Sequence, residues 1–272
     1  MALKSKRIKT PGIALLNSRK LKQLYSSMLK CRLIQKRARG VSRAFGQEAT
    51  EAGATMDLLG DDFIALSGRE FAFRFMRREP LQSVFTRVRA AESGAPSCVL
   101  ELDGSAAERL SMATGVALAC KWQKQSQVVV AFAVEYSAGD ISRPQTFEFA
   151  GRHKLPIVYV LQHKHKTAFA KRNAKTWDHG MPSIVVDGND AVAVYRVSQE
   201  AIRRAREGHG PALIHCQNIG ADDPLKFMEN YLKQKRLWSD AWKRKITNAF
   251  NRELDQAAAA AKRTRQPFSF HF

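Results

Sequence analysis

The chain has 272 residues, 44% of them hydrophobic and 26% charged, enough for one large α/β domain or two small ones and too apolar for a disordered chain. Its 45 Lys and Arg against 25 Asp and Glu leave a formal charge of +20, so polyanionic partners enter any account of its function. No run approaches the roughly 18–20 unbroken apolar residues that cross a bilayer. Cys31, Cys98, Cys120 and Cys216 form no CxxC pair, which disfavours a structural zinc or a disulfide framework and suits a reducing, cytoplasmic setting.

The first 47 residues hold thirteen Lys or Arg and no acid. Residues 1–20 read as a basic arm without the apolar core of a secretory signal; the charge also fits a transit peptide, although Arg and Ser are sparse. From Leu21 the apolar residues Leu24, Tyr25, Met28, Leu29, Leu33 and Ile34 recur at three and four, predicting an amphipathic helix to about Arg39, stopped by Gly40. Further helices are expected over Gly46–Met56 and Asp62–Arg78. Ala106–Trp122, rich in Ala, Leu and Met, predicts a closely packed helix. Gln127–Tyr136 and Leu155–Leu161 are apolar, β-branched runs typical of strands buried on both faces, and Thr146–Arg152 lies between them as a helix. Ser183–Val186 and Ala212–His215 are two more short strands, separated by helical periodicity over Asp190–Glu207. The chain after Phe227 reads as helical and basic. A domain over 21–255 with a basic tail at 256–272 follows, built as a parallel sheet with helices on both faces.

In such a sheet ligands bind beyond the carboxyl ends of the strands. That directs attention to Ala133–Gly139, Gln162–Lys166, Val186–Asp190 and His215–Gly220. Glu135 and His163 stand 28 positions apart at the ends of two expected strands.

The order of short motifs along the chain resembles the alpha subunit of the decarboxylating component of 2-oxoacid dehydrogenase complexes, pyruvate and branched-chain types included. The likeness runs from about Leu21 to Trp242. It is carried by Gly46–Gln47–Glu48–Ala49, Asp62, Arg69, Lys154–Leu155–Pro156, Val186–Asp187–Gly188–Asn189–Asp190, Gly210–Pro211–Ala212 and Asp222–Asp223–Pro224. It implies a three-layer α/β thiamine diphosphate-binding fold with a central, mainly parallel sheet. It also implies oxidative decarboxylation of a 2-oxoacid with acyl transfer to lipoyl, and a beta-type partner subunit or a homo-oligomer.

In that family Gly-Asp-Gly ends one strand and Asn-Asn the next, and their oxygens help hold the Mg²⁺ that bridges the cofactor's two phosphates. Here Glu135 stands on the Asp, with Val134 and Tyr136 in place of the glycines and His163–Lys164 in place of the asparagines. Glu135 remains a Mg²⁺ ligand by type, and Arg69, Glu135, His163 and Lys164 mark the cofactor cleft. The plainer readings are a Glu135 carboxylate paired with Lys164 or Arg69, a solvated loop or anion site at His163–Lys166, and a surface salt bridge at Arg69. The family's His near Arg69, its Gly-Gly-Ser-Met-His segment and its His-Ser loop have no counterparts in Gly68–Arg69–Glu70–Phe71, between Leu81 and Leu110, or in Cys216–Ala221.

Three functions compete on these grounds: an alpha subunit with an altered metal site, a catalytically impaired scaffold on the same fold, and a polyanion or nucleic-acid binder. The last rests on the basic N-terminus, on Arg152–Lys175 with seven Lys or Arg and no acid, and on Lys233–Lys245. Trp177, Trp238 and Trp242 beside those runs read as packing residues. No known nucleic-acid-binding motif accompanies them.

Overall fold

The computed structural model describes residues 16–37, 46–66, 71–82, 98–102, 104–135, 144–163, 175–178, 180–217 and 223–263. Its seven strands are β1 (Phe63–Leu66), β2 (Val99–Glu101), β3 (Val129–Glu135), β4 (Ile157–His163), β5 (Lys175–Asp178), β6 (Met181–Asp187) and β7 (Ala212–Gln217). They form one sheet in the order β2-β1-β3-β4-β7-β6-β5. Six strands are parallel and β5 runs antiparallel on the edge. The helices in chain order are α1 (Ser18–Arg37), α2 (Glu48–Thr55), α3 (Phe71–Met76), α4 (Ala106–Trp122), α5 (Pro144–Arg152), α6 (Ala191–Arg206), α7 (Pro224–Gln234) and α8 (Asp240–Arg263).

Alternation along the strands divides the core in two, as strand geometry requires. Ile64, Leu66, Val130, Phe132, Val158, Val160 and Ile214 meet Ala54 of α2 and Val194, Ala201 and Ile202 of α6 on one face. Ala65, Ala131, Ala133, Tyr159, Leu161 and Leu213 meet Leu110, Ala113 and Ala117 of α4 and Phe147 and Ala150 of α5 on the other. Strands covered on both sides read as continuous apolar runs, which is why β3, β4, β6 and β7 are visible in the sequence. A third cluster joins α1, α2 and α7 through Leu21, Leu24, Tyr25, Met28, Ala49, Ala52, Leu225 and Met228. It places α1, α7 and α8 as an outer helical layer.

Local chemistry fixes the ends. Ser105 and Glu108 form a reciprocal capping box at α4, Asp190 caps α6 by accepting from Val192 and Ala193 N–H, and Asp223 caps α7 ahead of Pro224. Gly53 lets α2 lie against α6: a Cβ there would stand 2.9 Å from Val194 Cγ1 and 3.1 Å from the Ala191 carbonyl oxygen.

Two buried ion pairs tie the layers together. Asp62, fully buried, accepts from both terminal nitrogens of Arg206 (2.9 and 2.6 Å) and from the N–H of Leu59 (2.7 Å) and Val128 (2.9 Å). It thereby joins the amino-terminal ends of β1 and β3 to the end of α6. Arg32 of α1 holds Glu48 of α2 through two nitrogens and reaches Asp223 at 3.0 and 3.2 Å.

The helix expected over Asp62–Arg78 is a correction. Its first part is β1, and among the described residues of this segment the helix is confined to Phe71–Met76. Four apolar residues are too few for periodicity to separate strand from helix. The short β2 and the edge strand β5 have no counterpart among the elements expected from the sequence. Among the described residues no helix is long and apolar enough to cross a membrane.

Candidate functional site

The chain runs from β1 to β2 on one side and then to β3 on the other, the kind of switch point at which open α/β sheets bind ligands beyond the carboxyl ends of their strands. There the pairing is level. Glu135 of β3 is in register with His163 of β4, His163 with Gln217 of β7, and Gln217 with Asp187 of β6. Four strands thus end on one row, and that row contains two of the residues the sequence singles out. The other two, Arg69 and Lys164, lie outside the described residues, as do Tyr136 and the remainder of the segment after His163.

His163 is not part of a solvated loop. It closes β4 at 3% exposure, and its Nε2 lies 3.0 Å from Nδ1 of His215, itself 6% exposed. The rings are nearly parallel, 5.2 Å apart between centres and inclined by 21°. One ring donates and the other accepts, an arrangement that two neutral imidazoles can make. Burial pushes the His163 pKa below its ordinary value, which favours that neutral form. The sequence does not single out His215: only the adjacency of β4 and β7 brings residues 52 positions apart into contact.

Deeper on the same face, Tyr159 and Thr114 hydroxyls lie 2.7 Å apart, and the Thr114 hydroxyl donates to the Leu110 carbonyl at 2.7 Å. Thr114 has a single proton, so Tyr159 is the donor to it. Burial raises the phenol's pKa, and Phe147 of α5 packs edge-on against its ring at 4.7 Å. On the opposite face the Cys216 thiol is pushed up to about 12 by burial, and Thr50 of α2 donates to the Gly188 carbonyl at 3.2 Å. Cys120 and Cys216 are buried and free, as expected of small core fillers. The Val186–Asp190 segment acts as a turn: Asp187 accepts from the Asn189 N–H at 2.9 Å, and Asp190 starts α6.

Three buried side-chain nitrogens around this edge have no hydrogen-bond partner among the described residues: Nε2 of Gln162, Nε2 of Gln217 and Nδ2 of Asn189. All three are donors. An acceptor-rich ligand or water satisfies such groups, whereas a cation does not. Mg²⁺ demands hard oxygen ligands, yet the position aligned with the family's asparagine pair carries an imidazole already bonded to a second imidazole. Among the described residues no group of three or more His, Cys, Asp or Glu is placed to hold a metal ion. Of the described residues of this edge, the three amide donors suit an acceptor-rich group such as a phosphate, whereas His163 supplies no oxygen ligand for Mg²⁺.

Residues 27–219 match the profile of the family described as dehydrogenase E1 component. The 3-methyl-2-oxobutanoate dehydrogenase subunit alpha of Mycobacterium tuberculosis (strain ATCC 25618 / H37Rv) is 27% identical over 238 aligned positions, covering 74% of this chain and 65% of that protein. Pyruvate dehydrogenase E1 component subunit alpha-3, chloroplastic, of Arabidopsis thaliana is 27% identical over 200, covering 59% and 46%. The pyruvate dehydrogenase E1 component subunit alpha of Bacillus subtilis (strain 168) is 26% identical over 288, covering 89% and 77%. This chain thus spans less than two thirds of the length of the first two relatives. The match takes in α2, the six parallel strands and the helices that cover them, and the chain belongs to the dehydrogenase E1 component family, alpha-subunit type, with the thiamine diphosphate-binding fold.

Proposed function

We propose that this chain is an alpha-type 2-oxoacid dehydrogenase component that no longer seats magnesium and thiamine diphosphate and serves as a non-catalytic partner of a beta-type chain in the cytoplasm. The observation carrying this reading is the His163–His215 pair, a buried, mutually bonded couple at the strand end where the family's motif places an oxygen ligand. The replacements Val134, Tyr136 and Lys164 point the same way. At the aligned positions the first two carry side chains in place of the glycines that would admit a diphosphate, and the third carries an ammonium in place of an oxygen ligand. The family's reaction, decarboxylation of a 2-oxoacid with acyl transfer to lipoyl, would belong to an assembly that this chain joins. Relatives named for pyruvate and for 3-methyl-2-oxobutanoate give the substrate class of such an assembly.

A partner is supported by α4. Its inward residues Ala107, Leu110, Ala113 and Ala117 are buried, yet its outward face also carries Met112 at 42% exposure and Trp122 at 76%, with Phe149 of α5 at 40% nearby. A helix apolar on its outer face as well is normally covered.

The test is a thermal-shift titration of the full chain with thiamine diphosphate and Mg²⁺, alongside co-purification with a beta-type chain. The expected result is a stable complex and no cofactor-dependent shift. A bound cofactor at a hundred times its Kd would stabilise the fold by about 2.7 kcal/mol. A shift of that size overturns the reading in favour of an alpha subunit with an altered metal site.

A further inference from the structure

The outer layer of α1, α7 and α8 concentrates the chain's positive charge. Residues 18–37 and 223–263 contain seventeen Lys and Arg against five Asp and Glu, a surplus of twelve out of the chain's twenty. Four of the five acids are engaged within the layer: Asp223 by Arg32, Glu229 by Lys243 and Tyr25, Asp240 by the Trp238 indole N–H, and Asp255 by Arg37.

The bases are also gathered by geometry. Trp238 and Trp242 stand 6.1 Å apart between ring centres. Lys22 of α1 lies 5.6 Å from the Trp242 centre, while Lys233 of α7 and Lys243 of α8 each lie 5.8 Å from Trp238. Lys235 sits 5.7 Å from Tyr231. Lysines of three helices therefore converge on one pair of indoles, held over ring faces that attract cations. The rings themselves are engaged beneath: Tyr25 meets Trp238 edge-on at 5.1 Å and Trp242 at 5.5 Å. The packing role expected for Trp238 and Trp242 holds, and the ammonium groups of Lys22, Lys233 and Lys235 are the part offered to a ligand, Lys243 being paired with Glu229.

We propose that the layer formed by α1, α7 and α8 is a sequence-independent binding face for the phosphodiester backbone of nucleic acid, with Lys22, Lys233, Lys235 and Arg244 among its contacts. A polymer suits it better than a single phosphate. The 24 residues of α8 extend about 36 Å, against one phosphate per about 3.4 Å of a strand. A lipid surface suits it less: among the described residues of these three helices, Phe227, at 37%, is the one large apolar side chain that is exposed. With rings covered and cations outward, the face reads charge and not base identity.

The experiment is fluorescence anisotropy of the full chain with a labelled oligouridylate and a DNA duplex, each of ~20 nucleotides or base pairs, from about 50 to 200 mM NaCl. Affinity is expected to fall linearly with salt on logarithmic axes. Lys22→Gln/Lys233→Gln/Lys235→Gln should weaken binding about 10–100-fold at ~100 mM salt and flatten the slope by about 2. The control Lys124→Gln/Arg152→Gln/Arg204→Gln removes the same charge from exposed positions elsewhere and should cost less than about 3-fold. Circular dichroism checks folding, and Arg244→Gln alone, at an exposed site, should still cost about 3-fold if the triple variant does not fold. Equal losses in test and control, no binding at the lowest salt, a strong preference among base sequences, or tighter binding to phosphatidylserine vesicles would each overturn the proposal.

Discussion

The two ends of the central sheet satisfy their polar groups in opposite ways. At the amino-terminal end one fully buried carboxylate, Asp62, accepts four hydrogen bonds, two from Arg206 and two from backbone N–H groups of separate segments. At the carboxyl-terminal end the described polar residues include three amide nitrogens without partners and a pair of imidazoles bonded to each other. The first arrangement is a joint whose members need one another to hold the fold. The second is an edge whose buried amide donors are left to a ligand or to water. Motif residues shared with the family also fall into two groups. Glu48, Asp62 and Asp223 keep structural partners, whereas the positions aligned with the magnesium motif carry different chemistry.

The contrast is broken most directly at Asp62. Asp62→Ala leaves Arg206 and two backbone donors without their acceptor, and loss of one member of a buried pair costs about 3–5 kcal/mol. Urea denaturation should register that loss in full. A cost no larger than that of substitutions at His163 would remove the distinction between the two ends. Next in size is Arg32→Met, which strands the fully buried Glu48 side chain and should cost about 2–4 kcal/mol. Asp223→Ala, at a side chain 35% exposed, should cost only about 1 kcal/mol, the usual worth of a helix cap.

The sequence conveys the joint's neighbourhood better than its wiring. Continuous apolar runs identify β3, β4, β6 and β7, and Asp190 and Gly208 bracket α6, because burial on both faces and capping each leave a local imprint. β1 and β2 leave little: four and three residues carry no resolvable period, and the apolar residues of β1 pass equally well for the start of a helix. At the carboxyl end, motif order identifies Glu135 and His163, and their register as neighbours follows from the strands. His215 is invisible because nothing local distinguishes a strand histidine that meets another histidine from one that does not. The partnerless amides are equally hidden, since an unmade hydrogen bond has no sequence signature.

The imidazole pair offers a sharper test of the same contrast. His163→Leu removes one partner and leaves the buried His215 nitrogen wanting, a cost of about 1–3 kcal/mol. His163→Leu/His215→Leu removes both and should cost less than the sum of the two single substitutions. A double-mutant cycle then gives a large coupling of the sign expected when neither residue matters without the other. Additive losses would show that each histidine is needed separately, as a structural joint would require.

The smallest effect concerns pH, and it follows from the direction of one shift. Burial holds the folded-state pKa of His163 below the ordinary value, which for histidine is near 6.5 (about that in the unfolded chain). The unfolded state therefore binds more protons at mildly acidic pH, and stability must rise with pH across that interval. The contribution is complete above about pH 6.5 and is lost as pH falls toward the depressed folded-state value. Melting temperatures measured between about pH 7 and 5 should decline for the natural chain, and the decline should be shallower in His163→Leu/His215→Leu. Identical slopes in the two proteins would mean that acid sensitivity arises elsewhere, and that the carboxyl-terminal edge tolerates a charge that its burial and neutral pairing oppose.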